Sequence, residues 1–175
     1  GVHLSTAELR MIRESRAVVV HCPSSNRFLS SGAMPLRRWQ KAGLRLSLGT
    51  DVAAGASLSM FREMAEACET SKAFAEKDSG EKPLGPAEAL WLATLGGAQA
   101  LGMADKIGSF DVGKEADFIV LRDEAAHPLA HAHYPKSMER LSRAVYRPHP
   151  EMFEEVCIAG RKVRFQAGDM QDSIA

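Results

Sequence analysis

The chain is 175 residues long, 45% hydrophobic and 25% charged, a composition typical of a globular protein that is large enough to bury a core. Lysine and arginine together number 22, as do aspartate and glutamate, and this balance argues against nucleic acid or an anionic membrane surface as the partner. No apolar run approaches the roughly 18 residues that span a bilayer. Three widely spaced cysteines, Cys22, Cys68 and Cys157, argue against a disulfide framework and favour the cytoplasm.

The first predicted element is a helix that begins after Ser5, because Glu8 follows at the spacing of a capping box. Residues 17–22 include three consecutive valines and are typical of a strand buried on both faces of a parallel sheet. Pro23 cannot donate a hydrogen bond to a sheet, so it should end this strand. We expect residues 24–32 to form a polar loop.

A second helix is predicted at residues 35–42, with a proline in its first turn and Gly43 just beyond its end. A second strand follows at residues 44–48. Helix, strand, helix, strand is the order of βαβ units and predicts a parallel sheet. The next predicted helix covers residues 58–75, with apolar side chains at the spacing of a core face: Met60, Met64, Ala67 and Cys68.

A further helix is predicted from residue 86 to about residue 102. Gly96 and Gly97 lie inside it, and each costs about 1 kcal/mol relative to alanine, so we expect close packing against a neighbour there. The composition changes at residue 107, where a turn-rich linker leads to a strand at residues 116–121. Asp117 beside that strand has the simple interpretation of a turn or cap residue.

The remainder of the chain is predicted to be a helix at residues 137–146, a hairpin at residues 155–165 that turns near Ala159 and Gly160, and a frayed tail. Three histidines precede these elements: His127, His131 and His133. Clustered histidines invite a metal-binding interpretation, but the prolines around them favour a surface loop.

Residues 46–55 are the stretch around which the chain is organised. An apolar run ends at Gly49, and one carboxylate, Asp51, follows in a loop of small residues. An α/β barrel carries its catalytic acids in this position, at the carboxyl end of a strand. The alternative is that Thr50 and Asp51 only cap the next helix, since both residue types are favoured there.

Three segments resemble the amidohydrolase superfamily, and within it the guanine deaminase branch: residues 21–26 (HCPSSN), residues 48–55 (LGTDVAAG) and residues 107–117 (IGSFDVGKEAD). The third segment occurs across the superfamily. The second is more telling, because other branches, such as the triazine and adenosine-type hydrolases, usually carry a different loop after the aspartate. The resemblance extends from residue 1 to about residue 163.

The resemblance implies an α/β fold, namely the C-terminal part of a (β/α)8 TIM-like barrel (residues 1–106) and part of a small β-sandwich domain (residues 107–175). In the family one divalent metal, most often Zn²⁺, is bound by histidines and by an aspartate that matches Asp51. His21 does not match a ligand. The family's ligand histidines of the first, fifth and sixth strands have no counterpart here, and a whole barrel takes about 250 residues. We therefore expect a piece of a longer enzyme, inactive alone.

The implied reaction is hydrolytic deamination of guanine to xanthine, with Asp51 as metal ligand and proton carrier, in a complete enzyme that we expect to be a homodimer. Ser25, Asn26 and Arg27 follow a strand and are further candidates for substrate contacts. A turn-forming role for the first two and a solvated arginine are the plainer interpretations. The rival hypotheses are an amidohydrolase that acts on another nitrogen heterocycle, and a non-catalytic piece that only completes a barrel.

Overall fold

The computed structural model describes residues 1–77, 81–122 and 136–163. Its strands form two separate sheets, one parallel pair and one antiparallel sheet of three strands. Seven α-helices and one short 3-10 helix (Pro150–Met152) of the described residues accompany them. No helix in these ranges is both long enough and apolar enough to cross a bilayer, and all three cysteines are free thiols.

The parallel sheet pairs β1 (Val18–His21) with β2 (Arg45–Leu48). His21 lies opposite Leu48, so both strands end at the same edge of the sheet. This pairing confirms the parallel sheet predicted from the order of elements. Val19 packs against the core, but Val20, which alternation places on the opposite face, is 50% exposed. The prediction of a strand buried on both faces is therefore wrong at Val20.

The first helix, α1 (Thr6–Ser15), has the predicted capping box. The Ser5 hydroxyl accepts from the Glu8 amide at 3.3 Å, and the Ser5 amide donates to Glu8 Oε2 at 2.7 Å. These two bonds satisfy backbone donors that a helix otherwise leaves unpaired.

The segment after β1 differs from the prediction. Residues 23–28 form a short helix, α2 (Pro23–Phe28), where a polar loop was expected. Pro23 occupies its first turn, where the missing N–H has no acceptor to reach and the fixed φ suits a helix. Ser24 and Ser25, two of the polar residues that suggested a loop, are buried in this helix. The next helix, α3 (Leu36–Lys41), matches the prediction closely.

The long helix α4 (Met60–Lys77) packs its predicted core face inward. Met64, Ala67 and Cys68 are 2%, 1% and 0% exposed. They join one apolar cluster that holds the sheet against the helices, whose largest buried members are Trp39, Met34, Met64, Leu84 and Leu92.

The helix predicted from residue 86 is broken into α5 (Pro86–Ala93) and α6 (Leu95–Ala100). The break is at Thr94, whose backbone leaves the helical region. A Cβ on Gly96 would lie 2.9 Å from the carbonyl oxygen of Trp91, so the expected close packing is confirmed at Gly96.

The antiparallel sheet has the order β3 (Phe118–Leu121), β4 (Phe153–Ile158) and β5 (Arg161–Lys162). The predicted hairpin is confirmed, and its turn residues Ala159 and Gly160 have φ values of 49° and 72°, as a tight hairpin requires. Asp117 Oδ1 accepts from the Ala159 amide at 2.7 Å, which confirms its turn role.

Helix α7 (Ser137–Tyr146), with the predicted bounds, packs against α4 and α5. The ring of Phe61 on α4 meets Phe153 of β4 edge-on, with centroids 5.8 Å apart. The antiparallel sheet is thus joined to the helices that cover the parallel pair. The division at residue 107 stays a prediction.

Candidate functional site

The carboxyl ends of β1 and β2 lie side by side, and a polar segment leaves each of them. Helix α2 follows β1, and the loop of residues 49–59 joins β2 to α4. In α/β sheets this edge is where catalytic and binding groups collect. The candidate site lies there.

Asp51 has an exposed side chain and a left-handed backbone, with φ of 47°. The loop closes tightly around it: the Ala53 amide donates to the Asp51 carbonyl at 3.2 Å. A Cβ on Gly55 would lie only 1.8 Å from the Thr50 carbonyl oxygen, so only glycine fits there. Helix α4 begins well downstream at Met60, so the alternative that Asp51 merely caps the next helix is wrong.

The Asp51 carboxylate is held by Ser25. The Ser25 hydroxyl donates to Asp51 Oδ2 at 2.6 Å, joining the start of α2 to the loop after β2. Ser25 is 1% exposed and its hydroxyl is committed to this bond, which orients the carboxylate. Sequence reasoning placed Ser25 at the site as a substrate contact and missed this bond; the serine's position just after a strand was the signal.

A second carboxylate, Glu63 of α4, contacts the first turn of α2 at Ser24, the chain neighbour of Ser25. It is 0% exposed and accepts hydrogen bonds from both the amide and the hydroxyl of Ser24. Burial raises the pKa of the neighbouring Cys22 thiol, and the negative charges of Asp51 and Glu63 raise it further. Cys22 therefore stays a neutral thiol here. Nothing in the sequence pattern had singled out Glu63.

Asn26 and Arg27 line a cleft that Asp51 does not line. Arg27 makes an ion pair with Glu66 of α4. Both candidates line a separate cleft of about 370 Å³ together with His21. The structure therefore brings Ser25, but not Asn26 or Arg27, into contact with Asp51.

His21 is 1% exposed, and neither ring nitrogen has a hydrogen-bond partner among the described residues. Burial lowers the pKa of the imidazole to about 4, so the ring is neutral near pH 7. It lines the same cleft as Asn26 and Arg27. The exclusion of His21 from the ligand set stays a prediction.

The described residues fit a metal ion only in part. An exposed carboxylate held by a hydrogen bond, as Asp51 is, is a good oxygen ligand. Within residues 1–77, 81–122 and 136–163, however, no three His, Cys, Asp or Glu side chains are grouped closely enough to hold an ion. His127, His131 and His133 lie outside the described residues. The described part of the chain thus supplies one candidate ligand, Asp51, and no group of three.

The third motif segment is structural where it is described. Ser109 donates to Asp111 Oδ2 at 2.6 Å, and Lys114 Nζ lies 3.1 Å from the same oxygen. These bonds close the turns that lead to β3. They hold the linker in place.

Comparison with known proteins shows the family of the chain. The model of the Amidohydrolase family matches residues 1–162, so the chain belongs to the amidohydrolase family. Within it, the resemblance to guanine deaminases is confirmed. Human guanine deaminase is 38% identical over 168 residues, which are 93% of this chain and 37% of that protein. The chain thus spans a little over a third of the length of that curated relative.

Solved structures show the same relationship. A guanine deaminase from C. acetobutylicum with bound guanine superposes with a TM-score of 0.84 at 31% identity, covering 93% of this chain and 38% of that one. An adenosine deaminase from Xanthomonas campestris with bound zinc superposes with a TM-score of 0.80 at 33% identity, covering 98% of this chain and 39% of that one. These neighbours support the α/β class and a TIM-barrel-like enzyme.

Proposed function

We propose that the chain is the C-terminal part of a (β/α)8 barrel (residues 1–106) with strands of a small β-sandwich domain (residues 107–175). The complete enzyme hydrolyses guanine to xanthine and ammonia. One observation carries the proposal: Asp51 presents an exposed carboxylate, oriented by Ser25, at the carboxyl edge of the parallel strands. The similarity to guanine deaminases along 93% of the chain supports the choice of substrate.

Asp51 has two roles in this proposal, as metal ligand and as proton carrier. A divalent metal, with Zn²⁺ the best candidate, lowers the pKa of a water molecule when bound. Asp51 accepts a proton from the attacking water and delivers it to the departing amine, acting first as base and then as acid. The new C–O bond forms at the amino-bearing carbon of guanine, and the C–N bond breaks to release ammonia.

The proposal requires groups that the described residues do not supply. The histidine ligands and the other barrel strands come from elsewhere in the complete enzyme, so we expect this chain alone to be inactive. We further propose a homodimer of the complete enzyme in the cytoplasm, with guanine as its small-molecule partner and with neither nucleic acid nor membrane. The balanced charge supports the exclusion of nucleic acid and of an anionic membrane surface as partners.

A second candidate is a deaminase of another purine. It is favoured by the similarity to the zinc-bound adenosine deaminase, which is 33% identical to this chain, as is the guanine deaminase of E. coli in its solved structure. Both candidates use the same carboxylate and differ only in the ring that is bound. The loop after β2 favours guanine, because its sequence is that of the guanine branch.

The test is ammonia release by the complete enzyme with guanine, adenine, adenosine, cytosine and a triazine. We expect guanine to be preferred and Asp51→Asn to lose at least about a thousandfold in kcat, because the amide neither carries the proton nor matches the charge of the metal. Preference for another ring would overturn guanine as substrate. Turnover by Asp51→Asn within tenfold of the parent would remove Asp51 from the mechanism. Circular dichroism of the variant controls for folding.

A further inference from the structure

Glu63 is a carboxylate of α4 that is completely buried, at 0% exposure. Removing an ionised carboxylate from water is strongly unfavourable unless hydrogen-bond donors replace the water. Ser24 provides two donors: its amide donates to Oε2 at 3.2 Å and its hydroxyl donates to Oε1. Both carboxylate oxygens of Glu63 therefore accept a hydrogen bond from Ser24.

The residue that Glu63 holds is the chain neighbour of the residue that holds Asp51. Ser24 bonds to Glu63, and Ser25 donates to Asp51 Oδ2 at 2.6 Å. Both serines are buried, at 5% and 1% exposure, and they share one peptide unit in the first turn of α2. A displacement of Ser24 therefore moves the Ser25 hydroxyl, because closely packed interiors transmit small shifts.

We propose that Glu63 is a positioning residue for Asp51: by fixing Ser24, it keeps the Ser25 hydroxyl against Oδ2 and so sets the direction of the Asp51 carboxylate. This inference rests on the proposed function, since it takes Asp51 to be the metal ligand. Groups that orient a metal ligand typically change metal affinity or activity by about 10- to 100-fold when removed.

A merely structural role for Glu63 makes a different prediction. Without its carboxylate, the Ser24 amide and hydroxyl are buried without an acceptor, which weakens folding whatever Asp51 does. Such a loss is independent of Ser25. A positioning role acts through Ser25, so the effects of removing Glu63 and Ser25 should not multiply.

The experiment measures the zinc dissociation constant of the metal-free complete enzyme, by competition with a chromophoric chelator, together with kcat and KM for guanine. The variants are Glu63→Ala, Glu63→Gln, Ser25→Ala and the double variant Glu63→Ala/Ser25→Ala. The matched control is Glu69→Ala on the same helix, where the side chain is 56% exposed and pairs with Lys72. Circular dichroism and the thermal midpoint report folding.

We expect Glu63→Ala and Ser25→Ala each to weaken zinc binding about 10- to 100-fold, to lower kcat and to leave KM within about twofold. The zinc dissociation constant of the double variant should lie within threefold of that of the single variant that binds zinc more weakly. Glu69→Ala should keep its zinc dissociation constant, kcat and KM within twofold of the parental values. If Glu63→Ala does not fold, Glu63→Gln takes its place, because it keeps the side-chain size and one acceptor oxygen. Glu63→Gln should weaken zinc binding more than threefold. Combined with Ser25→Ala, it should weaken zinc binding no more than the single variant with the larger effect does.

Two results would overturn the inference: parental zinc affinity in a folded Glu63→Ala enzyme, or single-variant losses that multiply in the double variant. For Glu63→Gln, the corresponding overturning result is zinc affinity within threefold of the parent. Failure of the proposed function has a separate signature, because the parent enzyme would then release no ammonia from guanine while its zinc affinities still decide the role of Glu63.

Discussion

Asp51 combines a strained backbone with an exposed and oriented carboxylate. A residue other than glycine in the left-handed region costs of order 1 kcal/mol, and such residues concentrate at functional sites. Here the positive φ belongs to the residue whose side chain Ser25 holds at 2.6 Å. An aspartate that only formed a turn would need neither a buried hydroxyl partner nor the tight contact of Gly55.

His21 is the other residue at this edge with an unusual environment. Its imidazole is buried, and its pKa is lowered from 6.5 to about 4, because a charged ring would lose its hydration there. In the unfolded chain the ring takes up a proton near pH 6.5. Between pH 6.5 and about 4 the unfolded state therefore binds more protons than the folded state, and stability falls as the pH is lowered.

We predict that the urea midpoint of the complete enzyme drops between pH 6.5 and 4.5, and that His21→Leu reduces this drop. A fall of the His21 pKa from 6.5 to about 4 corresponds to about 3 kcal/mol of unfolding free energy at most when the whole window is crossed. The matched control is His149→Asn, which changes a half-exposed histidine and should keep the parental pH dependence. An equal drop in the parent and in His21→Leu would show that burial of His21 is not its source.

At the scale of elements, helix α2 and the loop after β2 form the site together. The serines of α2 point their polar groups at two carboxylates, one from the loop and one from α4. The loop keeps its shape because Gly55 lies against the Thr50 carbonyl. Each of these elements is short, so their mutual contacts and not their own propensity fix them.

Gly55→Ala should displace the loop and with it Asp51, because a Cβ would lie 1.8 Å from the Thr50 oxygen. We expect a loss of activity with guanine on the order of 100-fold, as for other small misplacements of a reacting group. Gly97→Ala, in α6, is the matched control: its Cβ would lie 3.7 Å from the carbonyl oxygen of Leu92, an ordinary contact, and the variant should retain parental activity. Parental activity of Gly55→Ala would mean that the loop relaxes without moving the carboxylate.

At the scale of the whole molecule, the described residues hold one parallel strand pair and one metal-ligand candidate. Large apolar side chains are exposed near the candidate site, including Val20 at 50%, Val52 at 55% and Leu58 at 77%. Exposed apolar surface of this kind marks an interaction face. The remaining strands of the proposed barrel would cover it and would bring the histidines that the family uses.

The isolated chain should accordingly bind zinc poorly, because stable zinc sites need about four ligands and one carboxylate is not enough. After equilibration with equimolar zinc and gel filtration, we expect far less than one zinc per chain by elemental analysis. Asp51→Asn provides the background level. The parent chain could instead retain one zinc while Asp51→Asn retains none. That result would contradict the view that most metal ligands come from the rest of the complete enzyme.

Much of the fold followed from local patterns. The capping box of Ser5 and Glu8, the parallel strands, the core face of α4 and the hairpin at Ala159 all depend on neighbours in sequence, whose spacing fixes which groups can meet. The errors arose where distant residues decide. The sequence predicts a loop at Ser24 and Ser25, because their acceptors, Glu63 and Asp51, are far away along the chain. It predicts a continuous helix through Thr94, because the contact of Gly96 with Trp91 is visible only in the structure.

The sequence by itself determined the family and identified Asp51 as the residue to test, because a carboxylate just beyond an apolar strand is a local signal. The tertiary structure alone decided what holds that carboxylate. Ser25 is 26 residues from Asp51 and Ser24 is 39 residues from Glu63 along the chain, and no spacing rule links positions so far apart. Only the packing of α2 against the loop and α4 brings their polar groups within hydrogen-bonding distance, where burial makes each bond necessary.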